Sequence, residues 1–248
     1  MTQPVRLVQI TDLHLFGDPG GRFDGVDTAA SLEAVIRRLL EQPGPDAFLA
    51  TGDLVHEDTP SAYLRLRRML ERLPAPVCCI PGNHDDPNLM RLHLPGGNIC
   101  WQRRLELGGW SVLLLDSRLP HTHAGQLGAP QLAWLERELA AGEGPVLIAL
   151  HHHPVVIGSP WMDQMKLRDA GEFLTLLQHH PRVRGVVWGH IHQPWEERRH
   201  HLLLLGTPST CIQFTPHSER YVPQDTIPAW RTLTLYPDGS IETAVHRL

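Results

Sequence analysis

Five short polar runs, each following an apolar, strand-like stretch, stand out in this 248-residue chain. They are, in order, Asp12-Leu13-His14, Gly52-Asp53, Gly82-Asn83-His84-Asp85, His151-His152-His153-Pro154 and Gly189-His190-Ile191-His192. Residues two apart along extended backbone share a face, so Asp12 and His14 can reach one ion. His190 and His192 repeat that spacing. A mixture of carboxylate, amide and imidazole donors suits Fe, Mn, Co or Zn, and the runs therefore predict a site for two metal ions.

A pair of divalent ions at such a site favours hydrolysis of a phosphoester. Two ions about 3.5–4 Å apart lower the pKa of a bridging water and hold the phosphoryl oxygens. Two divalent ions carry roughly four positive charges, of which Asp12 and Asp53 offset two. A bridging hydroxide leaves about one positive charge, which a phosphodiester monoanion would neutralise. The charge balance therefore favours a phosphodiester substrate.

The five runs must meet at one edge of a sheet. The predicted buried strands are Val5–Ile10, Val77–Ile80 and Val183–Trp188, with residues 46–51, 112–116 and 146–150. Helical spacing of apolar residues covers 28–41, 61–73, 131–140 and 167–179. Ligands in such sheets collect beyond the carboxyl ends of the strands, where all five runs fall. Gly52, Gly82 and Gly189 are expected to let the backbone turn sharply there.

The sequence pattern changes after His192. Short apolar runs at 202–205, 210–214, 231–235 and 241–245 alternate with Gly, Pro and Asp, which predicts strands and hairpins. Residues 17–21 and 218–228 are predicted as loops. Strands that alternate with helices and end in a β-rich region fit an α/β sandwich. Because independently folding units cannot divide one metal site, residues 1–248 are predicted to form a single domain.

The composition limits the classes of partner. The net charge is −5 and no dense basic run is present, which argues against a nucleic-acid partner. The apolar stretches are far shorter than a membrane span, and no signal-like region follows Met1, so a cytoplasmic protein without a membrane partner is expected. Cys78 and Cys79 lie in an apolar run and are predicted to be reduced strand residues. The 17 histidines stand out, because histidine is the commonest metal ligand.

In residue types and order, the five runs resemble those of the calcineurin-like metallophosphoesterases. The resemblance implies a four-layer α-β-β-α sandwich with a dinuclear metal site at the strand ends. The implied ligands of the first ion are Asp12, His14, Asp53 and His192. The implied ligands of the second ion are Asp53, Asn83, His152 and His190. His151 is the alternative to His152, and the resemblance favours Fe or Mn as the metal, with Zn and Co left open.

The resemblance also implies roles beyond metal binding. His84 is expected to protonate the leaving oxygen or to stabilise charge on the phosphate. Asp85 is expected to orient or polarise the imidazole of His84. The expected contacts to substrate are His14, Asn83 and His84. Most other histidines, including His123, are expected at the surface, and His56 is left open as a residue that could line the pocket.

Segments outside the metal runs are similar to one branch, the bacterial class III 3′,5′-cyclic-AMP phosphodiesterases. These segments are SPWMDQ at 159–164, TPSTCIQF at 207–214 and DTIP at 225–228. The similarity extends from Leu7 to the end of the chain. It implies that a bridging hydroxide attacks phosphorus, that the 3′-oxygen leaves with help from His84, and that cyclic AMP becomes 5′-AMP.

Two other functions stay open at this stage. The first is the same chemistry on another small phosphoester, by a phosphodiesterase or a phosphatase. The second is a non-catalytic metal-bound scaffold, which would be expected to lose ligands or His84, although this chain retains them. The choice between cyclic AMP and cyclic GMP is open, and so is a homodimer. Arg168, Ser209 and Gln213 are candidates to approach a nucleotide.

Overall fold

Two six-stranded sheets form the centre of the fold in this computed structural model, which describes residues 3–248. In chain order the strands are β1 (Val5–Ile10), β2 (Ala47–Thr51), β3 (Val77–Ile80), β4 (Ile99–Cys100), β5 (Arg104–Leu107), β6 (Trp110–Leu114), β7 (Val146–Ala149), β8 (Val183–Trp188), β9 (Trp195–Arg199), β10 (Leu202–Gly206), β11 (Gln213–Phe214), β12 (Pro223–Asp225), β13 (Ala229–Leu235) and β14 (Ile241–Arg247). The helices are α1 (Thr28–Leu40), α2 (Pro60–Leu70), α3 (Pro87–His93), α4 (Gly128–Ala141), α5 (Pro160–Asp163) and α6 (Ala170–Gln178).

Both sheets have a parallel centre. The first has the order β14-β13-β1-β2-β3-β4, in which β1 to β4 are parallel and β13 and β14 are antiparallel additions. The second has the order β5-β6-β7-β8-β10-β9, in which β6, β7, β8 and β10 are parallel and the two edge strands are antiparallel. A separate small ribbon pairs β11 with β12. The parallel strands bring several carboxyl ends to the same side of the fold.

The sheets are stacked between two layers of helices. Leu7 and Leu49 of the first sheet pack with Leu147 and Leu203 of the second in one apolar cluster between the sheets. Alternate residues of β1, such as Val8 and Ile10, instead pack with α1 and α2, because successive side chains of a strand point to opposite faces. The outer face of the second sheet packs against α4 and α6. The predicted four-layer α-β-β-α sandwich is confirmed. The assignment of residues 1–248 to one domain stays a prediction, supported by this shared apolar layer.

The helix α1 buries one apolar face, as its helical spacing of apolar residues predicts. Its buried residues Leu32, Val35, Ile36 and Leu39 recur at helical intervals, and the side chain of Asp27 caps the first turn by accepting a hydrogen bond from the Ala30 amide. The predicted range 28–41 differs from the observed one by one residue. The seven-residue helix α3 was not predicted, because it buries Met90 alone and so has no apolar periodicity to detect.

The other predicted elements are found with shifts of a few residues. The helix α6 begins three residues later than predicted, and β12 lies within the stretch predicted as a loop, where it pairs with β11. Cys78 and Cys79 are free thiols in β3, as predicted. Within residues 3–248, no helix combines the length and the apolar character needed to cross a membrane.

Candidate metal centre

The five polar runs meet where the parallel strands of the two sheets end. Hydrogen bonds join residues of one sheet to residues of the other. The Nδ1 atom of His151 donates to the carbonyl oxygen of Thr51 at 2.9 Å. The His190 amide donates to both carboxylate oxygens of Asp12, at 3.1 and 3.0 Å. The predicted site residues are therefore brought together across the gap between the sheets.

One cluster of donor atoms is formed by Asp12, His14 and His192, whose donor atoms lie within 4.8 Å of one another. The Nε2 atom of His192 lies 3.4 Å from Asp12 Oδ1 and 3.4 Å from His14 Nε2. The Nε2 atom of His14 also lies 3.8 Å from Asp53 Oδ2. Burial is the main reason that the pKa of His14 lies well below its usual value. A neutral imidazole beside two carboxylates is the form that a metal ion binds.

A second cluster contains His151, His152 and His190, again with donor atoms within 4.8 Å. Burial holds the pKa of His152 and of His190 well below the usual range, so these imidazoles are neutral. Their Nε2 atoms and the Oδ1 atom of Asn83 are buried, and among residues 3–248 none has a hydrogen-bond partner. Buried polar atoms are rarely left unpaired in proteins. A cation at this position would satisfy all three atoms, so the residues fit a bound metal ion.

His151 and His152 differ in what surrounds their second nitrogen. The Nε2 atom of His151 lies 3.4 Å from Asp53 Oδ1, within ion-pair distance. Burial alone lowers the pKa of His151, but the Asp53 carboxylate outweighs it and raises that pKa to about 9. The Nδ1 atom of His152 is paired with the Ser117 hydroxyl at 2.8 Å, and its Nε2 atom has no carboxylate partner. Within residues 3–248 the Nε2 atoms of both histidines lack a hydrogen-bond partner, and His151 also lies in a possible metal-binding group with Asp12 and Asp53, so the choice of His152 over His151 stays a prediction.

The backbone at the site is held in an unusual conformation. Left-handed φ angles occur at 53° for Asp12, 45° for His14, 48° for Asp53, 67° for His190 and 49° for His192. Such angles are uncommon for residues other than glycine and concentrate at functional sites. Each of these residues follows a parallel strand, so the reversal of hand turns its side chain out of the strand pattern and toward the metal centre.

The three glycines near the site have different tasks. Gly52 has a φ of 94°, which fits the sharp turn expected of it. Gly82 and Gly189 are needed for close approach instead. A Cβ on Gly189 would lie 1.9 Å from Thr11 Oγ1 and 2.6 Å from Asp12 Oδ2. The expectation of a sharp turn therefore holds for Gly52. Gly82 and Gly189 have no left-handed φ, and they leave room for the carboxylates of Asp53 and Asp12.

His84 lies at the metal centre with its ring partly exposed. Its amide donates to Asp53 Oδ1 at 2.9 Å. Its Nδ1 atom is 3.1 Å from the carbonyl oxygen of His56 and must donate, because a carbonyl oxygen only accepts. The Nε2 atom of His84 is therefore the nitrogen available to a substrate.

Asp85 has a different role from the expected one. Its carboxylate accepts hydrogen bonds from the amides of Gly82, Leu54 and Val55 at 2.8 to 3.2 Å and from the Tyr63 hydroxyl at 3.3 Å. The side chain is fully buried, and this burial raises its pKa to about 7. The prediction that Asp85 orients the imidazole of His84 is wrong, because the carbonyl oxygen of His56 occupies that position. Asp85 instead joins the loop after β2 to the loop after β3.

Two further histidines lie at the metal centre: His123, which was not predicted to be there, and His56, for which the sequence left the question open. His123 is exposed, as expected, and its Nδ1 atom lies 3.1 Å from Asn83 Nδ2, which places it at the site as well. Nothing in its local sequence marks it, because a long loop between β6 and α4 places it there. The ring of His56 stacks on His84 with centroids 5.0 Å apart, and its Nδ1 atom is 3.4 Å from His14 Nδ1. His56 therefore belongs to the site.

The three candidates for nucleotide contact lie elsewhere. The Ser209 hydroxyl donates to the carbonyl oxygen of Asp12 at 2.8 Å, and Gln213 bonds to the backbone of Ser209 and Ile227. These two buried residues support the loop that carries Asp12. Arg168 is exposed. None of the three is among the described residues that line the cavity at the metal centre.

That cavity has a volume of about 210 Å³. The lining residues from the polar runs are His14, Asp53, Asn83, His84, His190 and His192, joined by His123. The remaining lining residues are Phe23, Trp161, Met162, Met165, Phe214 and Tyr221. A small anionic group can therefore reach the donor atoms of the metal centre from one apolar-sided cleft.

Comparisons with known proteins agree with this geometry. Residues 5–194 match the family model described as calcineurin-like phosphoesterase. The chain is 42% identical to the 3′,5′-cyclic adenosine monophosphate phosphodiesterase CpdA of Pseudomonas aeruginosa, over 98% of this chain and 90% of that protein. It is also 42% identical to the CpdA of Escherichia coli K12, with the same coverage.

A similar fold occurs in a dimetal phosphatase from Danio rerio. The TM-score is 0.65 at 16% sequence identity, and the alignment covers 98% of each chain. At this level of identity the similarity concerns the fold alone.

Proposed function

The chain belongs to the calcineurin-like phosphoesterase family, and we propose that it hydrolyses 3′,5′-cyclic AMP to 5′-AMP with two metal ions at the strand ends. The observation that carries this proposal is the set of buried, unpaired donor atoms on Asn83, His152 and His190 beside the two carboxylates. These donors occur in a chain that is 42% identical to cyclic-AMP phosphodiesterases over nearly its whole length.

The residues that would hold the ions are those expected from the sequence. For the first ion they are Asp12, His14, Asp53 and His192, and for the second they are Asp53, Asn83, His152 and His190. When bound, two such ions supply an activated water and neutralise charge on the phosphoryl oxygens. The ligand set suits Fe, Mn, Co or Zn, and the resemblance of the five runs to the family favours Fe or Mn.

The chain's own groups account for the remaining chemistry. The Nδ1–H group of His84 is hydrogen-bonded to the His56 carbonyl, which leaves Nε2 for the substrate. Protonation of Nε2, which makes the ring an imidazolium, would supply the proton for the departing 3′-oxygen. Asn83 and His14 line the same cavity, where both would be within reach of a bound phosphate. Ser117 fixes the ring of His152, and Asp85 fixes the loop that carries Asn83 and His84.

The compartment, the class of substrate and the oligomeric state of the protein are proposals. We propose that it works in the cytoplasm, which its four free cysteines support, because disulfides are rare in that compartment. The net charge of −5 supports a small-molecule substrate rather than a nucleic acid. A homodimer remains a hypothesis from the sequence.

A substrate panel tests the proposed function. Protein stripped of metal and reloaded with Mn²⁺ or Fe²⁺ is given cyclic AMP, an aryl phosphodiester and an aryl phosphomonoester, and products are identified by chromatography. Metal-dependent release of 5′-AMP, faster than hydrolysis of the aryl diester, supports the proposal. Hydrolysis of the aryl esters alone would point to another small phosphoester. No turnover with both ions bound would instead favour the scaffold function.

A further inference from the structure

One wall of the cavity at the metal centre has no part in holding ions. It is apolar and aromatic, and its members are Phe23, Trp161, Met162, Met165, Phe214 and Tyr221. We call this set the aromatic wall. The metal ligands account for the phosphate of a cyclic nucleotide, but they leave the base without an assigned site.

Four separate segments build the aromatic wall. Phe23 follows β1, Trp161 lies in α5, Phe214 in β11, and Tyr221 in the loop after β11. The Trp161 ring is edge-on to Phe214 at 5.4 Å and edge-on to Tyr221 at 5.6 Å between centroids. Segments distant in sequence thus converge on one apolar surface.

The aromatic wall adjoins the first ion site directly. The Phe214 ring stacks on the imidazole of His192, with centroids 3.9 Å apart and planes 6° from parallel. Phe23 contacts His14 at 4.7 Å between centroids. A molecule whose phosphate lies against these two histidines therefore has the aromatic wall as the nearest apolar surface for its remaining part.

The polar groups on the aromatic side chains of the aromatic wall are either paired or buried from solvent. The Tyr221 hydroxyl donates to the Asp24 carboxylate. The Nε1 atom of Trp161 is buried, although the ring itself is partly exposed. Tyr221 is 39% exposed, so its ring also faces solvent. The aromatic wall thus offers ring faces and edges rather than hydrogen bonds.

We propose that the aromatic wall is the base-binding site, and that Trp161 and Tyr221 hold the base of the cyclic nucleotide by stacking. The inference rests on the proposed function. Stacking of a base on an aromatic side chain tolerates different bases, because every base has a π-face, and a larger ring system gains more contact. The site therefore prefers purine to pyrimidine cyclic nucleotides and selects by ring area.

The test compares two cyclic phosphodiesters that differ only in the base. Cyclic AMP is compared with methyl riboside 3′,5′-cyclic phosphate, in which a methoxy group replaces adenine. In the Trp161→Ala variant we expect kcat/KM for cyclic AMP to fall about 10-fold, through KM, with the base-free diester unaffected. Trp161→Phe should retain most of the activity toward cyclic AMP. In the unmodified protein, cyclic CMP should be the poorer substrate.

Controls separate binding from folding. Trp134→Ala removes a tryptophan on α4 that contacts Arg103 outside the cavity, and it should leave kcat/KM for both substrates unchanged. Tyr221→Ala alters an exposed ring and should lower kcat/KM for cyclic AMP in the same direction, which keeps the test valid if Trp161→Ala does not fold.

Two results would overturn the inference. If Trp161→Ala lowers kcat/KM equally for cyclic AMP and the base-free diester, Trp161 has a structural role. If Trp161→Ala leaves kcat/KM unchanged for both substrates, Trp161 has no role in binding the base. A different outcome, in which the unmodified protein hydrolyses the base-free diester but not cyclic AMP, would overturn the proposed function and the base site together. The behaviour of the unmodified protein therefore distinguishes the two failures.

Discussion

The Nδ1 atom of His84 donates a hydrogen bond to the backbone carbonyl oxygen of His56, 3.1 Å away. This bond fixes the ring orientation and leaves Nε2 as the nitrogen that faces the cavity. The amide of His84 is meanwhile bonded to Asp53, the carboxylate proposed to join both ions. These two bonds thus hold His84, the proposed proton donor, beside Asp53, the proposed shared ligand.

Replacing His84 with alanine should remove proton transfer without removing the ions. The amide bond to Asp53 belongs to the backbone, so the ligand geometry survives the substitution. We expect kcat for cyclic AMP to fall by about 10²- to 10⁴-fold, with two ions per chain retained. Steady-state kinetics and metal analysis of the same sample check both parts.

A matched control is His179→Ala, because His179 is exposed and, among the residues that the structure describes, its ring bonds to the Thr175 carbonyl alone. This variant should have the same kcat for cyclic AMP and the same metal content as the unmodified protein. Loss of an ion in His84→Ala would contradict the account, since it would make His84 a ligand.

The triple histidine run gives a second prediction, on metal content. Within residues 3–248 the Nε2 atoms of His152 and His151 both lack a hydrogen-bond partner, but of the two only that of His151 lies within ion-pair distance of Asp53. His152→Ala should therefore bind one ion fewer per chain after equilibration with Mn²⁺. His151→Ala should keep two ions, because it removes an ion-pair partner of Asp53 rather than a ligand. Metal analysis of both variants measures the number of ions bound per chain. Loss of an ion in His151→Ala and two ions in His152→Ala would make His151 the ligand.

Gly189 gives a third prediction, on packing at the first ion site. A methyl group there would lie 1.9 Å from Thr11 Oγ1 and 2.6 Å from Asp12 Oδ2. We expect Gly189→Ala to lower the free energy of unfolding by about 1–3 kcal/mol and to weaken metal binding, because the Asp12 carboxylate must move. Denaturant unfolding and Mn²⁺ titration measure the two effects.

Gly171→Ala is the matched control for that substitution. Gly171 lies in α6, and a Cβ there would meet nothing within 4 Å. Alanine favours helix over glycine by about 1 kcal/mol, so this variant should be slightly more stable with unchanged metal binding. Equal behaviour of the two alanine variants would rule out close packing as the reason for Gly189.

Much of the fold could be predicted from the sequence because apolar periodicity reports burial directly. The strands β1, β3 and β8 match their predicted bounds, and α1 has four buried apolar residues on one face. Short elements could not be predicted in the same way. The helix α3 and the strand β12 owe their structure to a capping side chain and to a pairing partner, which leave little trace in local hydrophobicity.

The candidate site likewise contains residues whose positions could be predicted from the sequence and residues whose positions could not. The proposed ligands could be found because Asp, Asn and His in short runs after strands are recognisable one segment at a time. The partners of His84 and Asp85 could not, because they depend on how loops from different strands lie together. His123 and the aromatic wall come from loops and short elements whose positions are fixed only by the tertiary fold.

The most direct test of the account is a titration of metal-free protein with Mn²⁺, in which cyclic-AMP hydrolysis is followed against the number of ions bound per chain. We expect little turnover at one ion per chain, full activity at two, and 5′-AMP as the product. Full activity at one ion per chain, or 3′-AMP as the product, would contradict the proposed two-ion site and the role of His84 at the 3′-oxygen.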